Sequence, residues 1–133
     1  MTHRPVRILI TGSRTWTDRT AIAHAISAYL RSVGTSIGGV WPFPIVVHGG
    51  ARGADQLADA VARNWGWTPE RHPADWDRHG RAAGFRRNAE MVALGADVCL
   101  AFILDGSPGA NHTAGLAEIA GIPTHRYQRR TPR

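Results

Sequence analysis

The sequence predicts a single α/β domain, a mostly parallel sheet with helices on both faces. Three observations carry that expectation. Short apolar runs alternate along the chain with segments of helical period. Those runs are apolar throughout rather than at every second residue, the pattern of strands covered on both sides. With 133 residues, 43% of them hydrophobic and 20% charged, the chain has the size and composition of one ordinary globular domain.

Taken in order, "VRILI" (Val6 to Ile10) is the first strand and ends at the turn "TGSR". Asp18 is placed to cap a helix in which Ile22, Ile26, Tyr29, Leu30 and Val33 recur at helical spacing, and Gly34 closes it. A glycine-rich connector follows, Gly34 to Phe43, whose Ile37, Val40, Trp41 and Phe43 suit a lid, a self-association surface or local core. "PIVVH" is the second strand. Ala54 to Trp65 is the second helix, with Leu57, Ala58, Val61, Ala62 and Trp65 on one face. "WTPERHPA" holds a short third strand, weakened by its prolines. "RAAGFRRNAEMVAL" is a third helix ending at Gly95, and "ADVCLAFIL" the clearest buried strand. "ANHTAGLAEIAG" is a fourth helix and "IPTHRY" the last strand. The domain is expected over residues 1–127, with "QRRTPR" (128–133) a frayed basic tail.

No run approaches the ~18 apolar residues of a membrane span, and the N-terminus lacks a signal-peptide pattern. The single cysteine, Cys99, lies in the most apolar strand and reads as core. A cytoplasmic location is expected. The net charge is +6, and all 16 basic residues are arginine. Guanidinium groups suit bidentate contacts to phosphate. The charge fits either a phosphorylated small ligand or nucleic acid. Seven histidines show no metal-ligand spacing, so neither a metal nor a cofactor is expected.

In a Rossmann-like sheet, ligands lie beyond the carboxyl ends of the strands. The loops to weigh are therefore "TGSRTWTD", "HGGARGAD" and "DGSPGANHT". Each places glycine directly after an apolar strand and opens into a helix, whose free first-turn N–H groups attract an anion. Gly12, Ser13 and Arg14 offer a turn, a hydroxyl and a guanidinium. Gly49, Gly50 and Gly53 let the second turn approach a ligand, with Arg52 and Asp55 at its edge. Gly106, Ser107 and Gly109 repeat the arrangement, and Asn111, His112 and Thr113 enter the fourth helix. Tight strand-to-helix turns also use glycine for packing alone, and a single such loop would be even-handed evidence. Three in one chain favour a ligand.

"FRRNAEM" supplies Arg86, Arg87 and Asn88 ahead of core Met91 and Val92. One arginine is expected on a solvated helix face and the other at the ligand. Trp76 suits base stacking or a hydrophobic plug equally. His48 is expected to pack against its turn, His72 and His79 to be surface groups, and Trp65 and Trp67 to pack.

"ITGSRTWTD", "VVHGGARGAD", "ADWDRHGRAAGFRRNAEM" and "DGSPGANHTAGLAEIAGIP", in that order, resemble the YspA/YpsA-related branch of the SLOG superfamily, over about residues 6 to 126. "HGGARGAD" and the run from Trp76 to Asn88 are the most specific parts. The resemblance implies a Rossmann-like fold that binds nucleotides or nucleotide-derived ligands, in several relatives as a sensor. The superfamily includes DNA-processing proteins and the Lonely-guy enzymes, which cleave the N-glycosidic bond of a nucleoside monophosphate and form homodimers. A homodimer is accordingly expected here. Against the Lonely-guy signature "RKxxM", Arg87 matches the catalytic arginine and Asn88 replaces lysine. Against "PGGxGTxxE", Gly106 and Gly109 match, Ser107 replaces a glycine and Thr113 stands where the catalytic glutamate belongs. Glu118 lies more than a helical turn further on. Glycosidic cleavage needs a carboxylate to stabilise an oxocarbenium-like state or to activate water, and Thr113 is neither. Asp55 and Asp77 are the acids left to substitute; otherwise Asp55 caps its helix or meets a ribose, and Asp77 is a surface charge. The expectation is ligand binding first, N-glycosidic hydrolysis second and single-stranded DNA binding third.

Overall fold

The structure is a computed structural model that describes residues 4–35 and 42–132. Most of the Gly34–Phe43 connector, including Ile37, Val40 and Trp41, lies outside the described residues.

Five parallel strands form one sheet in the order β3-β2-β1-β4-β5. They are β1 (Arg7–Gly12), β2 (Ile45–His48), β3 (Glu70–Arg71), β4 (Val98–Leu104) and β5 (Thr124–Arg129). The α/β expectation holds. Residues 8–10 of β1 and 98–103 of β4 are wholly buried because both faces of the sheet are covered. Ile8 and Ile10 point to one face, against α1 (Arg19–Ser32) and α2 (Ala54–Asn64). Leu9 and Cys99 point to the other, against Met91 and Val92 of α4 (Ala83–Ala93) and Ala117 of α5 (Pro108–Ile119).

α1 begins as expected, with the Asp18 carboxylate accepting from the Ala21 N–H at 3.0 Å. It closes with Gly34 at φ +81°, where the Thr35 N–H returns to the Leu30 carbonyl. Val33 is a correction. It sits at the C-cap, past the last turn that faces the sheet, and is exposed.

The third helix is also corrected. It starts two residues later than expected, at Ala83, and an unexpected short α3 (Trp76–His79) capped by Asp75 leads into it through a 3-10 turn at Gly80–Ala82. Gly80, at φ +55°, makes the break. α5 starts two residues earlier than expected because Pro108 occupies the first helical position, where its fixed φ suits the helix and its missing N–H costs nothing.

β3 is only two residues long, and its prolines flank it rather than interrupt it. It is held from a distance: the Arg7 guanidinium of β1 donates two bonds to Glu70, at 2.9 and 2.8 Å. β5 runs on to Arg129, so Gln128 and Arg129 belong to the sheet rather than to a tail. Arg129 pairs with Asp18 at 2.6 Å and lies over the Trp16 ring.

The chain lays β2 and β3 on one side of β1, then returns to lay β4 and β5 on the other. The connections leaving β1 and β4 therefore diverge, and a crevice opens between their carboxyl ends. No helix among the described residues is long and apolar enough to cross a membrane.

Candidate functional site

A cleft of about 470 Å³ lies at that divergence, within the usual range for small-molecule sites. Its floor is the β1 turn. The Gly12 position is set by packing, since a Cβ there would overlap Ala54 and the Phe102 carbonyl. Ser13 is buried, and its Oγ accepts the Leu104 N–H at 2.7 Å and donates to the Leu104 carbonyl at 3.3 Å. The hydroxyl expected to meet a ligand instead continues the β1–β4 pairing past the end of β1. Arg14 and Thr15 follow, exposed and lining the cleft.

The β2 turn forms one wall. The Asp55 carboxylate folds back under it, with Oδ2 accepting the Gly49 N–H at 3.0 Å and the Ala51 N–H at 3.3 Å. Asp55 is not the cap of α2; that position belongs to Gly53. Its Oδ1 makes no bond among the described residues, and the residue lines the cleft. Burial raises the Asp55 pKa, opposed by His48, the two loop N–H groups and Arg87. Gly49 and Gly53 clear space for protein rather than for ligand. A Cβ on Gly49 would meet the Arg87 guanidinium, and one on Gly53 the backbone of Ser13 and Arg14.

His48 packs against its own turn, as expected. Its Nδ1 accepts the Gly50 N–H at 2.9 Å, which places the ring proton on Nε2, 2.6 Å from Asp59 Oδ2. Asp59 also accepts from Arg63 and Arg71, so the turn is fixed to α2 and β3 by one carboxylate.

α4 supplies the opposite wall. Arg87 Nη1 donates to the Gly49 carbonyl at 2.6 Å and Nε to Asn88 Oδ1 at 2.9 Å. Burial depresses the Arg87 pKa; Asp55 pulls it up and the Arg14 charge adds to the depression. Arg14 and Arg87 thus line the same cleft as the buried Asp55 carboxylate. Arg81, Phe85 and Trp76 complete this side, and Trp76 and Phe85 are about half exposed. The end of the cleft is the start of α5. Ser107, its N-cap residue, makes no side-chain cap bond, so the Gly109 and Ala110 N–H groups at this helix start are uncapped. Thr113 is fully buried and its hydroxyl returns to the Gly109 carbonyl at 3.3 Å.

Of the residues expected at a site, Gly12, Ser13, Arg14, Asp55, Arg87, Asn88, Ser107, Gly109 and Thr113 line this cleft. Gly49, Gly50 and Arg52 line a smaller cavity beside it. Gly53 lines neither, held against the β1 turn. Arg86 is exposed and lies outside the cleft, the solvated member of its pair. Gly106 makes the tight turn after β4, at φ +66° beside Asp105 at φ +52°. Asn111 is taken up by Arg126 and the Ser107 carbonyl. His112 packs edge-on against Phe85. Sequence reasoning passed over Arg81, in the 3-10 turn, and Phe85, in the first turn of α4, both of which line the cleft. Asp77 is exposed and lines neither cavity.

Comparison with known proteins adds two findings. Residues 6–79 match the model of the YspA, cpYpsA-related SLOG family. The Gene 61 protein of Mycobacterium phage D29 is 48% identical over 130 residues, covering 91% of this chain and 95% of that protein. No solved structure matches. The family match takes in the β1 and β2 turns and Trp76, whereas Arg87 and the start of α5 lie beyond it.

Proposed function

The chain belongs to the YspA, cpYpsA-related SLOG family, and on that premise we propose that it binds a nucleotide or nucleotide-derived ligand at the carboxyl edge of β1 and β4. One observation carries the reading: the same cleft gathers cationic, aromatic and hydrogen-bond-accepting groups in the proportions a nucleotide needs. Arg14, Arg81 and Arg87, with the uncapped start of α5, favour phosphate. Trp76 and Phe85 present exposed rings to a base. Asp55 Oδ1 is an acceptor for a ribose hydroxyl. In this arrangement the phosphate sits at Gly109 and Ala110 with Arg87 opposite.

Binding without cleavage is the better supported reading. The position matching the Lonely-guy glutamate is Thr113, whose hydroxyl is already bonded to Gly109. Among the described residues Asp55 is the one carboxylate lining the cleft, and it is held by two backbone N–H groups. A sensing or sequestering role suits a site of this kind.

The test is a thermal-shift screen of nucleotides and short single-stranded DNA at two salt concentrations, followed by mass spectrometry of each mixture. A ligand at ~100 times its dissociation constant adds about 2.7 kcal/mol, a shift on the order of 10 °C for this chain length. The expected result is a salt-tolerant shift with one class of nucleotide, recovered whole. Recovery as base and ribose phosphate would make the chain a hydrolase; a steeply salt-dependent shift with DNA alone would make it a nucleic-acid binder. Arg14, exposed and without an ion-pair partner among the described residues, and Arg87 supply the variants. Arg14→Ala and Arg87→Ala are each expected to weaken binding more than tenfold, and an unchanged affinity would remove that residue from the site.

A further inference from the structure

The first three N–H groups of the turn after β2 are all committed within the protein. Those of Gly49 and Ala51 go to Asp55 Oδ2, and that of Gly50 returns to His48 Nδ1 at 2.9 Å. What this stretch turns outward is a carbonyl, that of Gly49, which accepts Arg87 Nη1 at 2.6 Å. The Gly49 carbonyl and the Gly50 N–H belong to one peptide unit. Such a unit is planar and trans, so its C=O and N–H point in opposite directions. Holding the N–H on His48 therefore aims the carbonyl at Arg87. A plane between two glycines needs that hold, because neither neighbour has a Cβ to oppose its rotation, and Gly50 already sits at φ +75°.

Resting on the nucleotide reading for what Arg87 meets, we propose that His48 is a positioning residue of the site: in the tautomer set by Asp59, and without lining either cavity, it directs the Gly49–Gly50 peptide plane and through it the Arg87 guanidinium. The hold itself is fixed. The His48 ring is 2% exposed and both its nitrogens are engaged. Nε2 lies 2.6 Å from Asp59 Oδ2, and an ionised carboxylate only accepts, so the proton stays on Nε2 and Nδ1 stays an acceptor. Arg63 of α2 and Arg71 of β3 anchor Asp59 in turn. Arg87 is tethered at its other end by the bond from Nε to Asn88 Oδ1, which leaves the Gly49 carbonyl to set where the tip of the guanidinium lies.

Two substitutions separate the ring nitrogens. His48→Asn puts an amide oxygen where Nδ1 stands and gives up the reach to Asp59; His48→Gln reaches Asp59 and leaves the Gly50 N–H without its acceptor. The measurements are NMR of the ligand-free protein and calorimetry with AMP, GMP, CMP and UMP. In the unmodified chain the His48 ring is expected to carry its proton on Nε2, and the Gly50 amide to exchange with solvent at least about tenfold slower than in an unfolded peptide. A proton on Nδ1, or an unprotected Gly50 amide, overturns the proposal whether or not either variant folds. Exchange of the Arg87 guanidinium protons is expected to quicken about tenfold in His48→Gln and distinctly less in His48→Asn. The nucleotide that binds the unmodified chain best is expected to bind His48→Asn about fivefold or more tighter than His48→Gln. A tie to Asp59 that serves stability alone predicts the opposite order, with losses that follow the melting temperature. Equal or reversed order in either measurement overturns the proposal and leaves the nucleotide reading standing. If none of the four nucleotides binds the unmodified chain, it is the nucleotide reading that fails, and the order of Arg87 exchange decides the positioning by itself.

Discussion

Burial raises the Asp55 pKa even though two backbone N–H groups and Arg87 favour its ionised form. A raised carboxyl contributes stability below its unfolded value of 3.8 and loses it as the pH climbs through the folded one, so at neutral pH the ionised group costs stability. Asp55→Asn keeps an oxygen for the Gly49 and Ala51 N–H groups and removes the buried charge. The variant is expected to melt roughly 2–4 °C above its parent at pH 7, with the gap shrinking as the pH falls toward 3. Its nucleotide affinity is expected to drop about tenfold, because an amide nitrogen at the cleft cannot accept from a ribose hydroxyl. Melting curves at several pH values check the first expectation; a lower melting temperature at pH 7 would mean that the loop N–H bonds outweigh the charge. The conflict is also where reading residues from sequence stops. Ser13, Thr113 and Asn111 have the chemistry of ligand contacts, and no local pattern reveals that Leu104, Gly109 and Arg126 have already taken it up. Arg14 and Asp55 were legible because charge at the end of a strand or the start of a helix has few places to go, and Arg87 because it lies one helical turn before core Met91.

At the scale of elements, the apolar runs of β1 and β4 and the one-sided face of α2 declared themselves, because burial on that scale follows period. β3 did so only faintly. What keeps it in the sheet is the reach of Arg7 to Glu70 and the bond from the His72 N–H to the His48 carbonyl. The short α3 ahead of α4 was not read, since a single turn capped by Asp75 and ended by Gly80 at positive φ is too short to show a period. The carboxylates that tie these elements together set the response to acid. Arg71, with Arg63 and His48, holds the Asp59 carboxyl well below its ordinary range against the effect of burial. Arg7, then His72, brings Glu70 down to about 2. A depressed carboxyl gives stability that is complete above its unfolded pKa and disappears as the pH falls through the folded one. The window here runs from about 4.5 down to about 2. Glu70→Gln is expected to lower the melting temperature at pH 7 and to converge on its parent as the pH falls toward 2. A deficit of the same size at both ends would show that packing, not charge, is what the carboxylate supplies.

For the whole molecule, strand order decides both where the site lies and how the core responds to it. β4 is bracketed by β1 and β5, and Cys99 sits at its start, wholly buried and paired in register with Thr124 of the edge strand. Burial pushes the thiol up to about 12, so in the folded chain it is neither accessible nor ionised at neutral pH. A disulfide reagent can reach it only when the structure opens, and the rate then reports the population of the open form. Two openings are conceivable on this topology. β5 can leave the edge alone, uncovering Cys99 while the cleft between β1 and β4 stays formed, or the domain can unfold as a unit and lose the cleft with it. A ligand held in that cleft separates them. If opening is global, a nucleotide at ~100 times its dissociation constant is expected to slow labelling about a hundredfold, because only the folded form binds it. If β5 detaches by itself, labelling is indifferent to the nucleotide. The first outcome is expected, since Phe102 of β4 stacks on Tyr127 of β5 at 5.0 Å and Arg129 fastens the end of that strand to Asp18 and Trp16, on the β1 side of the crevice.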